Sequence, residues 1–141
     1  MNFEPELMTF GMVDAAIELT HKLDDDFGLP RKTVMSQRDV PFMSRAIIPA
    51  LVRNGVDIVS VGVNGGSTPP NLPPAFIWRD EPSGTQVLVL LLQGGYGGLH
   101  LTKSSWFTPM MIPGLDQAAV VDWRGDNAGP PPSAADLIED F

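Results

Sequence analysis

The stretch Val34-Met35-Ser36-Gln37-Arg38-Asp39-Val40-Pro41 decides the fold that this sequence predicts. It has the character of a short buried strand that ends in the pair Arg38-Asp39, and Pro41 follows at once. A proline fits the first turn of a helix, because its missing N–H would have no partner there in any case. The stretch therefore predicts a strand-to-helix junction, and in parallel α/β folds such junctions face the ligand.

A βαβ unit is predicted around this junction. The helix after Pro41 has one apolar face, is bent by Pro49 and ends at the pair Asn54-Gly55, which supplies a left-handed cap. Residues 57–63 are β-branched and almost free of polar side chains, as in a parallel strand that is buried on both faces. The crossover between the two strands should be right-handed. The apolar face of the helix consists of Met43, Ile47, Ala50 and Leu51, with Ala46 beside them.

Further elements are predicted on either side of this unit. Upstream, apolar residues at helical spacing predict a helix over residues 11–26, which Gly28 ends. Downstream, residues 75–79 and 86–92 flank a turn and predict a β-hairpin, and residues 118–123 predict another buried strand. The helical spacing involves Met12, Ala16, Leu19, Leu23 and Phe27.

The composition indicates one globular domain. The 141 residues are 43% apolar and 18% charged, and the net charge of −8 comes with no Lys/Arg cluster, which argues against nucleic acid as a partner. The absence of cysteine excludes disulfides, thiolate zinc sites and cysteine nucleophiles. Residues 1–6 lack the features of a signal peptide, and no apolar run approaches the roughly 20 residues that span a bilayer. We therefore expect a cytoplasmic domain without a membrane partner.

Polar and glycine-bearing loops follow the three strands that are predicted to be parallel. They begin at Arg38-Asp39, at Asn64-Gly65-Gly66 and at residues 124–127. If these strands are neighbours in one sheet, their tips converge, and the carboxylates of Asp39 and Asp126 share a pocket. Paired carboxylates serve glycoside hydrolysis, one as nucleophile or base and the other as acid. The cationic, amide and aromatic side chains expected to contact a sugar there are Arg38, Asn64, Tyr96, Trp123, Arg124 and Asn127.

The same residues also have purely structural interpretations. Asp39 stands where the N-cap residue of a helix would stand. Asp126 lies in a Gly-Asp-Asn-Ala-Gly run, which is typical of a turn, and Trp123 could serve only in packing. His21 and His100 are far apart in the sequence, with no second ligand at metal spacing, so they do not indicate a histidine-rich zinc site. The residues alone leave these alternatives open.

Four segments carry a resemblance to a known family, namely RKTVMSQRDVP (31–41), GVDIVSVGVNG (55–65), GGYGG (94–98) and GDNAGP (125–130). They resemble an uncharacterised bacterial and fungal family that is related to the catalytic domains of glycoside hydrolase family 38, the α-mannosidases. The resemblance extends over nearly the whole chain. It implies the glycoside hydrolase/deacetylase fold, a seven-stranded (β/α) barrel, and a retaining, zinc-dependent mechanism.

Asp39 resembles the nucleophile of that family, which lies in an Asp-Pro-Phe-Gly motif at a strand end and also touches the metal. The resemblance therefore implies that Asp39 is nucleophile and zinc ligand, although Val40 precedes the proline here and Met43 replaces the glycine. The His-x-Asp motif expected near the start of such a domain and the later His-His-Asp segment are absent from the sequence. We therefore expect residues 1–141 to be a single partial barrel domain, truncated at both ends, with zinc bound only in a full-length parent.

The function expected from these observations is α-mannosidase-like, retaining hydrolysis of glycosidic bonds in the parent, with a carbohydrate as substrate. One alternative is a non-catalytic carbohydrate-binding or degenerate module that keeps the pocket. Another is a metal-dependent deacetylase of the same fold, which needs a metal triad that the sequence does not display. An incomplete barrel should expose strand edges and apolar surface, which favours self-association of the chain.

Overall fold

The computed structural model describes Glu4 and Ser133 together with residues 7–39, 43–64, 66–92, 110–112 and 114–119. Within these ranges the chain forms two α-helices, one short 3-10 helix and six strands. In chain order they are α1 (Phe10–Asp26), β1 (Val34–Arg38), the 3-10 helix (Arg45–Ile47), α2 (Ile48–Arg53), β2 (Ile58–Gly62), β3 (Ala75–Asp80), β4 (Thr85–Leu92), β5 (Met110–Met111) and β6 (Ala118–Ala119).

A four-stranded sheet in the order β1-β2-β4-β3 forms the centre of the described structure. β1, β2 and β4 are parallel to one another, and β3 runs antiparallel to β4 at the edge. The predicted α/β class, the βαβ unit and the hairpin of β3 and β4 are therefore confirmed. The described sheet is open, and the seven-stranded barrel is not seen in the described residues.

The core lies between one face of this sheet and the helices. Val59 and Val61 of β2 are completely buried, as is Val89 of β4. Ile48 and Leu51 of α2 are equally buried and belong to the same cluster. Burial of a β-branched strand beneath an apolar helix face removes large apolar surfaces from water, and this is the main favourable term for such a unit.

The second helix begins later than the sequence predicts. Met43 and Ser44 are not helical, Ser44 Oγ accepts a hydrogen bond from Ala46 N, and α2 has Pro49 in its first turn. The prediction that Pro41 opens the helix and that Pro49 bends it is therefore wrong. The physical reason is that Pro49 occupies the position at which a proline loses no helical hydrogen bond. Residues 40–42 lie outside the described residues.

The strand predicted over residues 118–123 does not join the main sheet in its described part. β6 pairs antiparallel with β5 in a separate two-stranded sheet, and residues 120–123 lie outside the described ranges. The third parallel strand is β4, which the sequence indicates only as one arm of a hairpin. A hairpin pattern identifies the local partner of a strand but does not reveal which strand lies on its other side.

Helix α1 confirms the predicted helix over residues 11–26 almost to the residue. Thr9 caps its first turn by accepting a bond from Met12 N, and Gly28 adopts a positive φ of 62° just beyond its end. Val13 is buried in the core, whereas the stripe that predicts the helix, which includes Leu19 and Leu23, is exposed. No helix among the described residues is long and apolar enough to cross a membrane.

The end of α1 is fixed to the start of β1 by a buried carboxylate. Asp24 is fully buried, and it pairs with Lys32 Nζ and accepts a hydrogen bond of 3.3 Å from Lys32 N. The hydrogen bond from the Lys32 side chain holds the pKa of the Asp24 carboxyl below its ordinary value of 3.8, against the opposing effect of burial. Because this pKa is depressed in the folded state, the pair stabilises the fold above pH 3.8 and loses this contribution as the pH falls through the depressed pKa.

We predict that Asp24→Asn lowers the melting temperature at pH 7, because the amide cannot form the ion pair with Lys32. The difference from wild type should shrink below about pH 3.8, where the wild-type carboxylate itself becomes protonated. Thermal unfolding followed by circular dichroism between pH 7 and pH 2.5 measures this. Glu81→Gln, in the exposed turn between β3 and β4, is the control and should change little at any pH. A pH-independent difference for Asp24→Asn would contradict the assignment.

Candidate functional site at the carboxyl ends of the parallel strands

The three parallel strands end side by side. Arg38, the last residue of β1, is opposite Gly62 of β2, and Gly62 is opposite Leu92 of β4. Asp39 and Asn64, which follow β1 and β2, therefore lie at one end of the sheet, the end at which open α/β sheets bind their ligands. Asp39 follows β1 directly, and Asn64 follows β2 after one further residue.

Asp39 has an unusual backbone conformation at this end of the sheet. Its N–H donates a 3.1 Å hydrogen bond to Gly62 O, which extends the pairing of the two strands by one step. Its φ is then +67°, and it is the one non-glycine residue with positive φ in the described part of the chain. An L-residue adopts the left-handed region at a cost of roughly 1–2 kcal/mol, less for Asp and Asn than for other residues. Such strain in an exposed residue is a reason to suspect function.

The side chains of Asp39 and Asn64 are joined by a hydrogen bond. Asn64 Nδ2 donates to Asp39 Oδ1 over 3.0 Å, and Asn64 Oδ1 accepts from Gly66 N over 2.8 Å. The second bond fixes the amide with its oxygen toward Gly66, so that its NH₂ group must point to the carboxylate. A Cβ at Gly66 would lie 3.2 Å from Asn64 Oδ1, so this position favours glycine.

The side chain of Arg38 joins β1 to β2. It is buried, and Nη1 donates to Gln37 O over 2.9 Å and to Ser60 O over 2.8 Å, while Nη2 donates to Ser60 Oγ over 3.1 Å. Burial lowers the pKa of the guanidinium from its ordinary value. These bonds clamp β1 to β2 two residues before the strand ends.

Ser60 is a partner that sequence reasoning did not identify. A signal for it exists, because Ser60 is the one polar side chain between Ile58 and Gly62 in an otherwise apolar strand. Buried polar groups are nearly always hydrogen-bonded, so a lone serine within such a strand predicts a polar partner on a neighbouring strand. Arg38 is the partner that meets this need.

The loop over residues 63–74, which is rich in glycine and proline, lies at the same end of the sheet. It leaves β2 at Val63 and leads into β3, whose first residue, Ala75, is opposite Leu90 of β4. Leu91 N donates a 2.8 Å hydrogen bond to Pro74 O, which holds the end of the loop against β4. The described part of this loop therefore forms one rim of the site.

Only part of the predicted site can be compared with the structure. Asp39 and Asn64, which follow different strands in the sequence, lie side by side and share a hydrogen bond. Arg38, which is also predicted to contact the sugar, is buried and bonds to Ser60. The other predicted residues lie outside the described ranges, namely Tyr96, Trp123, Arg124, Asp126 and Asn127. The predicted pairing of two carboxylates thus stays a prediction.

Zinc does not fit the described side chains around Asp39. A zinc site takes three or four nitrogen, sulfur or oxygen ligands, and no group of three or more His, Cys, Asp or Glu residues that could hold a metal occurs in the described part of the chain. Asn64 presents its amide nitrogen to the Asp39 carboxylate, and this nitrogen is a hydrogen-bond donor and not a metal ligand.

No family model, no curated protein and no solved structure matches this chain.

We predict that Asp39→Val destabilises the fold by roughly 1–2 kcal/mol, because a β-branched residue is poorly tolerated at positive φ. Asp39→Asn should change stability little, since Asn tolerates this conformation and can still bond with Asn64. Urea unfolding gives both values. Asp57→Val, just before β2 and without positive φ, is the matched control and should stay within about 0.5 kcal/mol of wild type. Equal effects of the two valine substitutions would show that Asp39 is not strained.

Proposed function

We propose that this chain is a carbohydrate-active domain of the α-mannosidase-like glycoside hydrolase type, and that Asp39 and Asn64 contact the sugar. The observation that carries the proposal is the exposed carboxylate of Asp39 at the carboxyl ends of parallel strands. Asn64 holds this carboxylate by a hydrogen bond, and the backbone of Asp39 is left-handed. Strain of this kind concentrates in functional sites. The position is also the one at which α/β folds bind ligands.

The chemistry of the pair suits a polyhydroxylated ligand. A sugar hydroxyl both donates and accepts hydrogen bonds, and a carboxylate accepts on two oxygens with several lone pairs. The exposed carboxylate of Asp39 offers such acceptors, and its Oδ1 also accepts the bond from Asn64. The fixed amide keeps the carboxylate in one orientation, which lowers the entropy lost on binding.

In the hydrolytic form of this proposal, Asp39 is the nucleophile. A retaining glycosidase needs a second carboxyl group at about 5–5.5 Å from the first, to act as acid and then as base. The sequence offers Asp126 for that role. The proposal includes a seven-stranded (β/α) barrel as the fold. Its support is that the parallel strands are adjacent and that β1 and β2 are joined by a βαβ crossover.

A carbohydrate-binding module without catalysis is the second candidate. The observation that favours it is the amide donor on Asp39, together with the absence of any metal-ligand group from the described residues. A metal-dependent deacetylase of the same fold would need such a group. Binding and hydrolysis must therefore be measured separately.

We predict that methyl α-mannoside shifts the amide resonances of Asp39, Asn64 and Gly66 in ¹⁵N-¹H spectra of the chain. Asn64→Ala should weaken binding by about tenfold, because one hydrogen bond and the orientation of the carboxylate are lost. Asp57→Asn, at the amino end of β2, is the control and should leave binding unchanged. Shifts confined to other parts of the sheet would contradict the site.

Hydrolysis of p-nitrophenyl α-mannoside separates the two candidates. If the chain is the hydrolase, Asp39→Asn should lower the rate on the order of 10³-fold or more, as expected for loss of a nucleophile, while mannoside binding persists. Equal rates for Asp39→Asn and wild type would remove Asp39 as the nucleophile. Mannoside binding without hydrolysis, in a protein that contains this chain and is supplied with zinc, would favour the binding module.

A further inference from the structure

An exposed apolar stripe runs along α1, on the flank of the helix beside its buried side. We call it the α1 seam, and it consists of the exposed Met12, Leu19 and Leu23, the partly buried Ala16, and the exposed Phe27 at the C-cap of the helix. The exposed fractions are 52% for Met12, 54% for Leu19, 48% for Leu23 and 72% for Phe27. Val13, one residue from Met12, faces the core at 2% exposure, so the helix is seated on the protein and still presents a second apolar flank to solvent.

The spacing of the α1 seam is that of a helix–helix interface. Its first four members are separated by four, three and four residues, which is the repeat that faces a partner helix in a coiled coil. α1 has 17 residues and is therefore about 25 Å long, enough for four layers of side chains. Exposed apolar stripes of this length generally mark protein-interaction sites on soluble proteins.

The charges of α1 oppose its own dipole. The first turn has no acidic residue and the last turn has no basic residue, while Asp24, Asp25 and Asp26 form its end. Asp25 and Asp26 are exposed and paired with Arg31 at 2.9 Å and with Lys22 at 2.5 Å. Carboxylates are favoured near helix N-termini and disfavoured near C-termini. A partner helix that runs antiparallel would bring its positive N-terminal end to these carboxylates, whereas a parallel partner would bring a second acidic end.

We propose that the α1 seam binds a second copy of this chain, with the two α1 helices packed antiparallel about a two-fold axis. The register follows from the seam, since Met12 of each copy then packs against Leu23 of the other, and Ala16 against Leu19. The same register overlaps the two helices along almost their whole length and sets Asp26 of each copy beside the capped N-terminus at Thr9 of the other. A self-complementary patch of this kind is what a two-fold interface requires.

The proposed interface is small and leaves the functional site free. Asp24 of α1 pairs with Lys32, before β1, and Asp14 of α1 bonds to Arg53 and Asn54, before β2. These residues precede their strands, whereas Asp39 and Asn64 follow them. One helix pair buries less than the roughly 800 Å² per partner of a standard interface, so the dimer should be weak and depend on concentration.

Sedimentation velocity of the full chain over about 5–500 µM tests the association, a range suited to a weak complex. The mass should rise toward twice that of the monomer, and Leu19→Glu should weaken association by at least about tenfold, because it places carboxylates within the seam. Ile77→Glu is the control, since Ile77 is 57% exposed and lies on β3, outside the seam. A wild-type chain that stays monomeric throughout, or equal disruption by Ile77→Glu, overturns the proposal.

Cross-linking tests the direction and register, against a background without cysteine. With a short bis-maleimide, the double variant Met12→Cys/Leu23→Cys should give covalent dimers, whereas neither single variant should. In the antiparallel register, Met12 of one copy lies level with Leu23 of the other. The two copies of residue 12 are therefore 11 residues, or about 16 Å, apart along the helix axis, and so are the two copies of residue 23. Efficient dimers from both single variants would indicate parallel helices and overturn the proposal. Circular dichroism of every variant checks that the fold is retained.

Discussion

The parallel pairing of β2 with both of its neighbours is the constraint on which the rest of the structure depends. Parallel strands cannot be joined by a tight turn, so each link to β2 must travel the length of the sheet. The link from β1 does so through α2, which then covers the sheet. The link to β4 does so through a loop and the return strand β3. The helix, the hairpin and the long loop thus all follow from one pairing scheme.

The same pairing creates the candidate site. Register places Arg38 opposite Gly62, and the next backbone bond, from Asp39 N to Gly62 O, holds Asp39 beside the end of β2. The buried bonds between Arg38 and Ser60 clamp the two strands just before this point. A rigid pair of strands can therefore hold one residue in a strained conformation and keep its carboxylate in one orientation, as a preorganised binding site requires.

The sequence predicts the local elements well and the long-range ones only in part. Helix α1, the βαβ unit and the hairpin follow from periodicity and from Gly28 and Gly55, which take positive φ as expected. Pro41 and Pro49 both fit a first helical turn, and periodicity cannot choose between them, whereas the Ser44 cap does. The place of β4 beside β2 depends on contacts between residues far apart in sequence. Local patterns carry no information on that choice.

For the candidate site, the sequence could predict that Asp39 and Asn64 lie close together, but not the direction of the Arg38 side chain. Asp39 and Asn64 both follow strands with a parallel pattern, so their meeting required only that the strands be neighbours. The direction of the Arg38 side chain depends on Ser60, which lies 22 residues away on another strand. Likewise, the period of α1 predicts a helix but not its rotation, because its apolar arc includes both the buried Val13 and the exposed Leu19.

The structure divides the roles of the two ends of the sheet. At the amino ends, Asp24 with Lys32 and Asp14 with Arg53 attach α1 through ion pairs, and the bond from Arg53 holds the pKa of Asp14 low. At the carboxyl ends, Asp39 has a positive φ and bonds to Asn64. In α/β folds, stabilising features collect at the first end and ligand-binding features at the second. The proposed dimer surface on α1 can therefore coexist with the proposed sugar site at Asp39, since the ion pairs of α1 and the Asp39–Asn64 bond involve opposite ends of the strands.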